Sequence, residues 1–182
     1  MELKNHFKDL PHPFVVLFIA NPKNYTDQNM KLLKNFVNKQ RLFGIYITVN
    51  RPYENLVSLI KKEGIGLSHI FFIDLITKTE KHQPVRKDNC IFMGSASNLT
   101  DLSVAISQAV SINPKARKFI FLDSLSTMLI YNEAGSLSKF SHFLTSRLRE
   151  WNVDGVFLSL DSESDKEVTN TLSQFCDRVI RN

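Results

Sequence analysis

Short apolar runs alternate with longer amphipathic stretches along this sequence, and the alternation limits the fold to few classes. Continuous apolar runs are typical of strands buried on both faces of a parallel sheet. Alternation of such strands with helices predicts an α/β fold of three layers, α/β/α, around a mostly parallel sheet. The predicted strands are residues 15–20, 45–49, 69–75, 90–93, 118–123 and 155–160, with a last candidate at residues 177–181.

The amphipathic stretches between these runs carry helix start signals. Thr26 and Thr100 each precede an apolar stripe and are predicted N-caps. Pro52 is predicted at a first helical position, and Ser164 with Glu167 has the spacing of a capping box. We therefore expect a helix after most of the strands.

The chain length of 182 residues fits one domain with a substantial core. We expect a single domain over residues 1–182, with an N-terminal extension at residues 1–13 and a polar loop at residues 77–88. No apolar run approaches the roughly 18 residues of a membrane-spanning helix. Two cysteines without a C-x-x-C pattern indicate neither a zinc site nor a redox dithiol. These features predict a soluble, cytoplasmic protein without a membrane partner.

The net charge of +5 is dispersed, and its densest concentration lies at residues 78–87. A solvated loop explains this segment, and an anionic ligand or partner, including nucleic acid, is the alternative. The candidate contact residues in this basic loop are Lys78, Lys81, Arg86 and Lys87.

The loop after the first strand is where many α/β proteins bind a phosphate. A P-loop reads G-x-x-x-x-G-K-[ST], because glycines let backbone N–H groups converge on the phosphates. Residues 21–27 contain no glycine, Pro22 lacks an N–H group, and Asp27 adds negative charge. Lys23 and Thr26 remain the candidate nucleotide contacts in this loop.

The later strand ends carry isolated polar residues. Asn50 and Arg51 follow the second strand, where a hydrolase would place a carboxylate. Asp123, with Ser124 beside it, ends the fifth strand in the pattern of a magnesium-binding carboxylate, and a buried strand that ends in a capping Asp is the alternative. The acidic residues 161–165 fit a helix cap better than a metal site, and the histidines have no ligand spacing, so no metal site is predicted.

Residues 119–151, FIFLDSLSTMLIYNEAGSLSKFSHFLTSRLREW, resemble the Walker B strand and following helix of RecA-like ATPases of the KaiC type, especially archaeal members. Residues 69–75, 97–106 and 155–181 fit the same template. The resemblance places the Walker B aspartate on Asp123. The family's catalytic glutamate would fall near Asn50 or Arg51, and the Walker A glycines and Lys-Thr pair have no counterpart. The resemblance therefore implies a P-loop NTPase fold without a functional P-loop.

The resemblance implies a catalytically inactive domain, and not an enzyme, that regulates or scaffolds through protein contacts. RecA-like domains commonly assemble side by side, so self-association is expected, with residues 128–131 as a surface unless they bury in the core. One alternative is a weak ATP or ADP sensor without hydrolysis, using Asp123 and magnesium with Lys23 and Thr26. Another is an accessory nucleic-acid-binding protein of recombinase type. No cofactor is expected, with ATP and magnesium left open.

Overall fold

A computed structural model describes residues 6–77, 85–87 and 89–182 of the chain. Within these ranges, one sheet of eight strands has the order β4-β5-β3-β2-β6-β7-β1-β8. Neighbouring strands are parallel except for β4 and β5, which form an antiparallel pair at one end of the sheet. The strands are β1 (Val15–Ala20), β2 (Phe43–Thr48), β3 (Ile70–Asp74), β4 (Val85–Lys87), β5 (Cys90–Phe92), β6 (Lys118–Asp123), β7 (Asp154–Leu160) and β8 (Arg178–Arg181).

Helices connect most of the parallel strands. The α-helices are α1 (Tyr25–Lys34), α2 (Tyr53–Lys62), α3 (Leu99–Val110), α4 (Leu125–Met128), α5 (Ala134–Glu150) and α6 (Lys166–Ser173). A π-helical segment at Asn35–Lys39 follows α1, and 3₁₀ turns lie at Pro22–Asn24, Leu67–His69 and Glu163–Asp165. None of the helices in the described part of the chain is long and apolar enough to cross a membrane.

Each face of the sheet is covered by its own group of helices. Side chains alternate between the two faces of a strand, so Val15 and Leu17 contribute to one core while Val16 and Phe18 contribute to the other. Apolar residues of α3, α5 and α6 cover the first face. Residues of α1, α2 and the π-helical segment cover the second. The predicted α/β fold with three layers is confirmed.

Several helix starts differ from the sequence prediction. Helix α1 begins at Tyr25 directly after the Pro22–Asn24 turn, so Thr26 lies in its first turn and is not the N-cap. Asn98 caps α3 in place of Thr100, and its side chain accepts a hydrogen bond from the Asp101 N–H group. The chain therefore enters both helices two residues earlier than predicted.

The predicted start of α2 also shifts by one position. Pro52 is the N-cap of α2 and precedes the first helical residue, Tyr53. The carboxylate of Asp74, at the end of β3, accepts a hydrogen bond from the Tyr53 N–H group at 2.8 Å. The first N–H group of α2 thus finds its acceptor on a side chain that is distant in sequence. Local residue spacing cannot predict this contact.

The polar loop at residues 77–88 ends in the short strand β4, which sequence analysis missed. Arg86 lies in β4, with its guanidinium carbon 5.4 Å from the ring centre of Phe71. The N-terminal extension also makes contacts: Phe7 is buried and its ring lies 5.1 Å from that of Phe36. The described part of the extension therefore packs on the core beside α1.

A substitution at Gly155 tests how tightly α5 packs on β7. A Cβ atom at this position would lie 2.6 Å from Cδ1 of the buried Leu148. Because overpacking a filled core is destabilising, we expect Gly155→Ala to lower the free energy of unfolding by about 1–3 kcal/mol in urea denaturation.

Gly135 provides the matched control for this substitution. It lies near the start of α5 and has no atom within 4 Å of its Cβ position. Gly135→Ala should leave stability unchanged or raise it by up to about 1 kcal/mol. Equal effects of the two substitutions would contradict close packing between Leu148 and Gly155.

Candidate functional site

The carboxylate of Asp123 is the centre of a polar cluster at the carboxyl edge of the sheet. Asp123 is the last residue of β6 and is 3% exposed. The hydroxyl groups of Tyr25 and Tyr46 donate to its Oδ1 and Oδ2 atoms respectively. The Asn50 amide also donates to Oδ1, at 2.5 Å. Both carboxylate oxygens therefore have partners inside the protein.

Strand register brings Tyr46 to this carboxylate. Thr48 of β2 lies opposite Asp123 of β6, and Tyr46 precedes Thr48 by two residues. Side chains with this spacing point to the same face of the sheet. Helix α1 covers that face, which is why Tyr25 in its first turn also reaches Asp123.

Asn50 links the Asp123 cluster to the start of α4. Its Oδ1 atom accepts a hydrogen bond from the Thr127 hydroxyl, while its amide group donates to Asp123. Ser124 is the N-cap of α4, and its Oγ atom accepts from the Thr127 N–H group at 3.3 Å. Hydrogen bonds of Asn50 and Ser124 therefore join the Asp123 cluster to the start of α4.

Burial dominates the electrostatics of this site. It raises the pKa of Asp123 above its usual value, while the hydrogen bonds from Tyr25, Tyr46 and Asn50 oppose that rise. Burial, followed by the charge of Asp123, raises the pKa of both tyrosines. The tyrosines therefore stay protonated and act as hydrogen-bond donors.

Three of the four candidate nucleotide contacts lie together at this edge. Asp123 and Ser124 are adjacent in the cluster, and Thr26 lies one residue after Tyr25 in the first turn of α1. The Thr26 hydroxyl accepts a hydrogen bond from Nη2 of Arg51 at 2.9 Å. The positive charge of Arg51 also opposes the rise in the pKa of Asp123.

Lys23, the fourth candidate, lies in the turn before α1. It is exposed and borders an open groove of about 370 Å³ between α1 and α2. Asp27 and Glu63 line the same groove, and Asp27 forms an ion pair with Lys31 at 2.7 Å. The groove therefore presents charges of both signs to a ligand.

The basic loop residues lie away from Asp123 where the structure describes them. Arg86 and Lys87 belong to β4, and three strands, β5, β3 and β2, separate it from β6. Lys78 and Lys81 lie outside the described residues. Hence Arg86 and Lys87 do not form one site with Asp123.

The capping box predicted for Ser164 and Glu167 is not formed, because Asp165 and not Ser164 is the N-cap of α6. Asp165 is the N-cap of α6, but its side chain makes no capping hydrogen bond. Its buried carboxylate instead accepts hydrogen bonds from the hydroxyls of Ser126 and Ser159, the latter at 3.1 Å. This contact joins α4, β7 and the start of α6.

Sequence reasoning missed Tyr25, Tyr46 and Thr127 as parts of the Asp123 cluster. The local signal for Tyr46 is a hydroxyl in a mainly apolar strand, and its partner lies 77 residues away. Among the described residues, no group of three or more His, Cys, Asp or Glu side chains is placed to hold a metal ion. Asp123 has hydroxyl and amide neighbours, which are hydrogen-bond donors to a carboxylate.

Comparisons with known proteins show the fold but no activity. Residues 47–181 match DUF7504, a family of unknown function. None of the curated proteins matches the sequence. Among solved structures, the KaiC-like protein PH0186 from Pyrococcus horikoshii OT3 superposes with a TM-score of 0.68 at 14% identity, over 94% of this chain and 72% of that one.

A second structural neighbour is the uncharacterized protein PH0321 from Pyrococcus horikoshii, solved in complex with an unknown peptide. It has a TM-score of 0.70 at 10% identity, over 98% of this chain and 82% of that one. At these identities the similarity supports a KaiC-like fold of RecA type and carries no information on catalysis.

A substitution at Tyr46 tests whether the hydroxyl donors stabilise the buried Asp123 carboxylate. Tyr46→Phe removes one donor from a buried acid, and hydrogen bonds to charged groups contribute about 1.5–3 kcal/mol. We expect a loss of that size in the free energy of unfolding at pH 7, measured by urea denaturation. Tyr131→Phe, which removes the hydroxyl of a side chain that is 51% exposed, should change stability by less than about 0.5 kcal/mol. Similar losses in both variants would contradict the role of Tyr46.

Proposed function

The chain belongs to DUF7504, a family of unknown function, and we propose that it is a non-hydrolysing KaiC-like domain that regulates or scaffolds through protein contacts. The observation that carries this proposal is the enclosure of the Asp123 carboxylate by Tyr25, Tyr46 and Asn50. A carboxylate that serves magnesium must offer an oxygen to the ion or to its bound water. Here two tyrosine hydroxyls and an asparagine amide of the protein take that place.

The phosphate-binding side of the site supports the same proposal. None of the six glycines in the sequence is followed by lysine, so no segment has the G-K step of a P-loop. The turn between β1 and α1 is the single 3₁₀ turn Pro22–Asn24. It lacks the glycine-rich backbone that wraps a phosphate chain. We therefore regard this connection as a degenerate Walker A segment.

The residue at the expected position of the hydrolytic base supports the absence of ATPase activity. Asn50 lies beside Asp123 where the family resemblance would place a catalytic carboxylate. An amide side chain cannot take a proton from water as a carboxylate does. Its two polar atoms are also engaged by Asp123 and Thr127.

An exposed apolar segment supports function through protein contacts. In the segment 128–131, Met128 is buried, whereas Ile130 is 75% and Tyr131 is 51% exposed. Asn132 fixes the end of this segment, because its amide donates to the carbonyl groups of Ala96 and Met128, each at 2.9 Å. Apolar side chains held outward by a fixed backbone are suited to a protein interface. The neighbour PH0321, solved with a peptide, supports peptide or protein binding by this fold.

ATP binding tests the proposal directly. Because protein donors occupy the Asp123 carboxylate, we expect calorimetric titration with ATP and Mg²⁺ to give no saturable heat, and we expect no ATP hydrolysis. Saturable binding that disappears in Asp123→Asn but persists in Asp161→Ala, at an exposed acid, would overturn the proposal in favour of an ATP sensor. Hydrolysis that Asp123→Asn abolishes would make the protein an ATPase.

Self-association tests the contact surface. We expect the wild-type protein to form dimers or larger assemblies of its 20.9 kDa chain in light scattering after size exclusion. Replacing Ile130 and Tyr131 by serine should shift the mass toward the monomer. Val104→Ser, which changes a 53% exposed side chain on α3, should leave the assembly intact. A wild-type protein that stays monomeric at high concentration would contradict self-association through this surface.

A further inference from the structure

A basic groove of about 330 Å³ opens at the amino edge of the sheet, at the end of the molecule opposite to Asp123. The loop before β6, the turn between α5 and β7 and the segment before β1 form its walls. Asn113 and Asn152 adopt positive φ angles of 52° and 57° after α3 and α5, which turns both connections back along this edge. The lining residues used below are His12, Lys115, Arg117, Lys118 and Trp151; none of the groove's lining residues is acidic.

Asp154, the first residue of β7, fixes the orientation of Arg117. Its carboxylate is fully buried and accepts hydrogen bonds from Nε and Nη2 of Arg117 at 3.2 and 2.9 Å. Its other oxygen lies 2.9 Å from Nδ1 of His12 and accepts from the Phe14 N–H group at 3.1 Å. A guanidinium group carries five N–H donors, so Arg117 keeps donors beyond those that Asp154 engages. The side chain of Arg117 is 44% exposed, and it lines the groove.

Lys118 supplies a positive charge that Asp154 does not balance. The residue is 6% exposed, and within the described ranges its ammonium group has one hydrogen bond, to the Ala116 carbonyl oxygen at 3.2 Å. No carboxylate among those residues lies within ion-pair distance of it. Burial lowers the pKa of Lys118, which reflects the cost of keeping this charge without an anion.

We infer that this groove binds a phosphate group, held by Lys118, Arg117 and Lys115. Asp154 and Arg117 neutralise each other, so the two lysines leave the groove with an excess of positive charge. An oxyanion would accept hydrogen bonds from the ammonium group of Lys118 and the remaining N–H groups of Arg117. Trp151 adds an aromatic wall beside these donors. The phosphate belongs either to a small phosphorylated molecule or to the backbone of a nucleic acid.

The single tryptophan of the sequence makes the groove directly observable. Trp151 lines it, so the intrinsic fluorescence of the wild-type protein reports on ligands that enter. The first arm titrates inorganic phosphate and pyrophosphate at constant ionic strength, with chloride as the reference anion. The second arm measures anisotropy of a labelled single-stranded oligonucleotide over a range of salt concentrations.

The variants separate a specific site from general charge attraction. Lys118→Met keeps most of the buried volume and removes the charge, and because an unpaired buried charge is costly, we expect the variant to fold. Lys139→Met removes the same charge from an exposed position on α5. We expect saturable binding of at least one probe, weakened about tenfold or more by Lys118→Met and unchanged by Lys139→Met. If Lys118→Met fails to fold, Lys115→Gln at an exposed position serves in its place, with a several-fold loss expected.

Each outcome decides the inference. Binding of phosphate or pyrophosphate that depends on Lys118 supports a site for a phosphorylated small molecule. Oligonucleotide binding alone, with the same dependence, supports a nucleic-acid backbone as the source. An absent response to all three probes overturns the inference. An equal loss of binding in Lys118→Met and Lys139→Met also overturns it.

Discussion

A parallel sheet must be covered on both faces, and the rest of this structure follows from that requirement. Its strands carry apolar side chains on alternating sides, so leaving either face in water would expose a complete layer of the core. Helices α1 and α2 bury one face, while α3, α5 and α6 bury the other. The charged side chains of the strands are thereby concentrated near the two edges of the sheet, where strands meet loops. Both candidate sites lie at these edges.

Buried carboxylates at the edges are satisfied by the protein itself. Asp123, Asp74 and Asp165 lie at or beyond the carboxyl ends of strands, and Asp154 lies at the amino end of β7. Asp74 accepts hydrogen bonds from three backbone N–H groups and the Thr77 hydroxyl. Each of these carboxylates thus joins segments that are distant in sequence. The hydrogen bonds of these carboxylates stay within the protein, whereas at the opposite edge the Lys118 ammonium group donates, among the described residues, to the Ala116 carbonyl oxygen alone.

The similarity to KaiC-like structures concerns the scaffold, and the chemistry depends on the residues placed on it. A RecA-type arrangement brings the end of β6 close to the start of α1 and the end of β2. In this chain those three positions carry an acid, a tyrosine and an asparagine, which hydrogen-bond to one another. These hydrogen bonds hold the ends of β6 and β2 and the start of α1 together. The same fold can then present its outer surfaces, including Ile130 and Tyr131, to other proteins.

The sequence by itself determined the fold class, the order of the strands along the chain and most of their positions. Period-two burial and continuous apolar runs are local properties, so they can be read without knowing the partners of each strand. Strand β4 was not predicted because it is three residues long and mostly polar. The helix starts were predicted only approximately, since Asp74 caps α2 from another strand.

Only the tertiary structure decided what surrounds the candidate residues. The sequence indicated Asp123 and the neighbouring positions Asn50 and Arg51, but not that Tyr25 and Tyr46 enclose the carboxylate. That contact depends on strand register and on the placement of α1, which bring together residues 98 and 77 positions apart. The basic groove likewise arises from three separate segments, so no local pattern contains it. Local periodicity fixes which elements form, whereas long-range packing fixes which side chains meet.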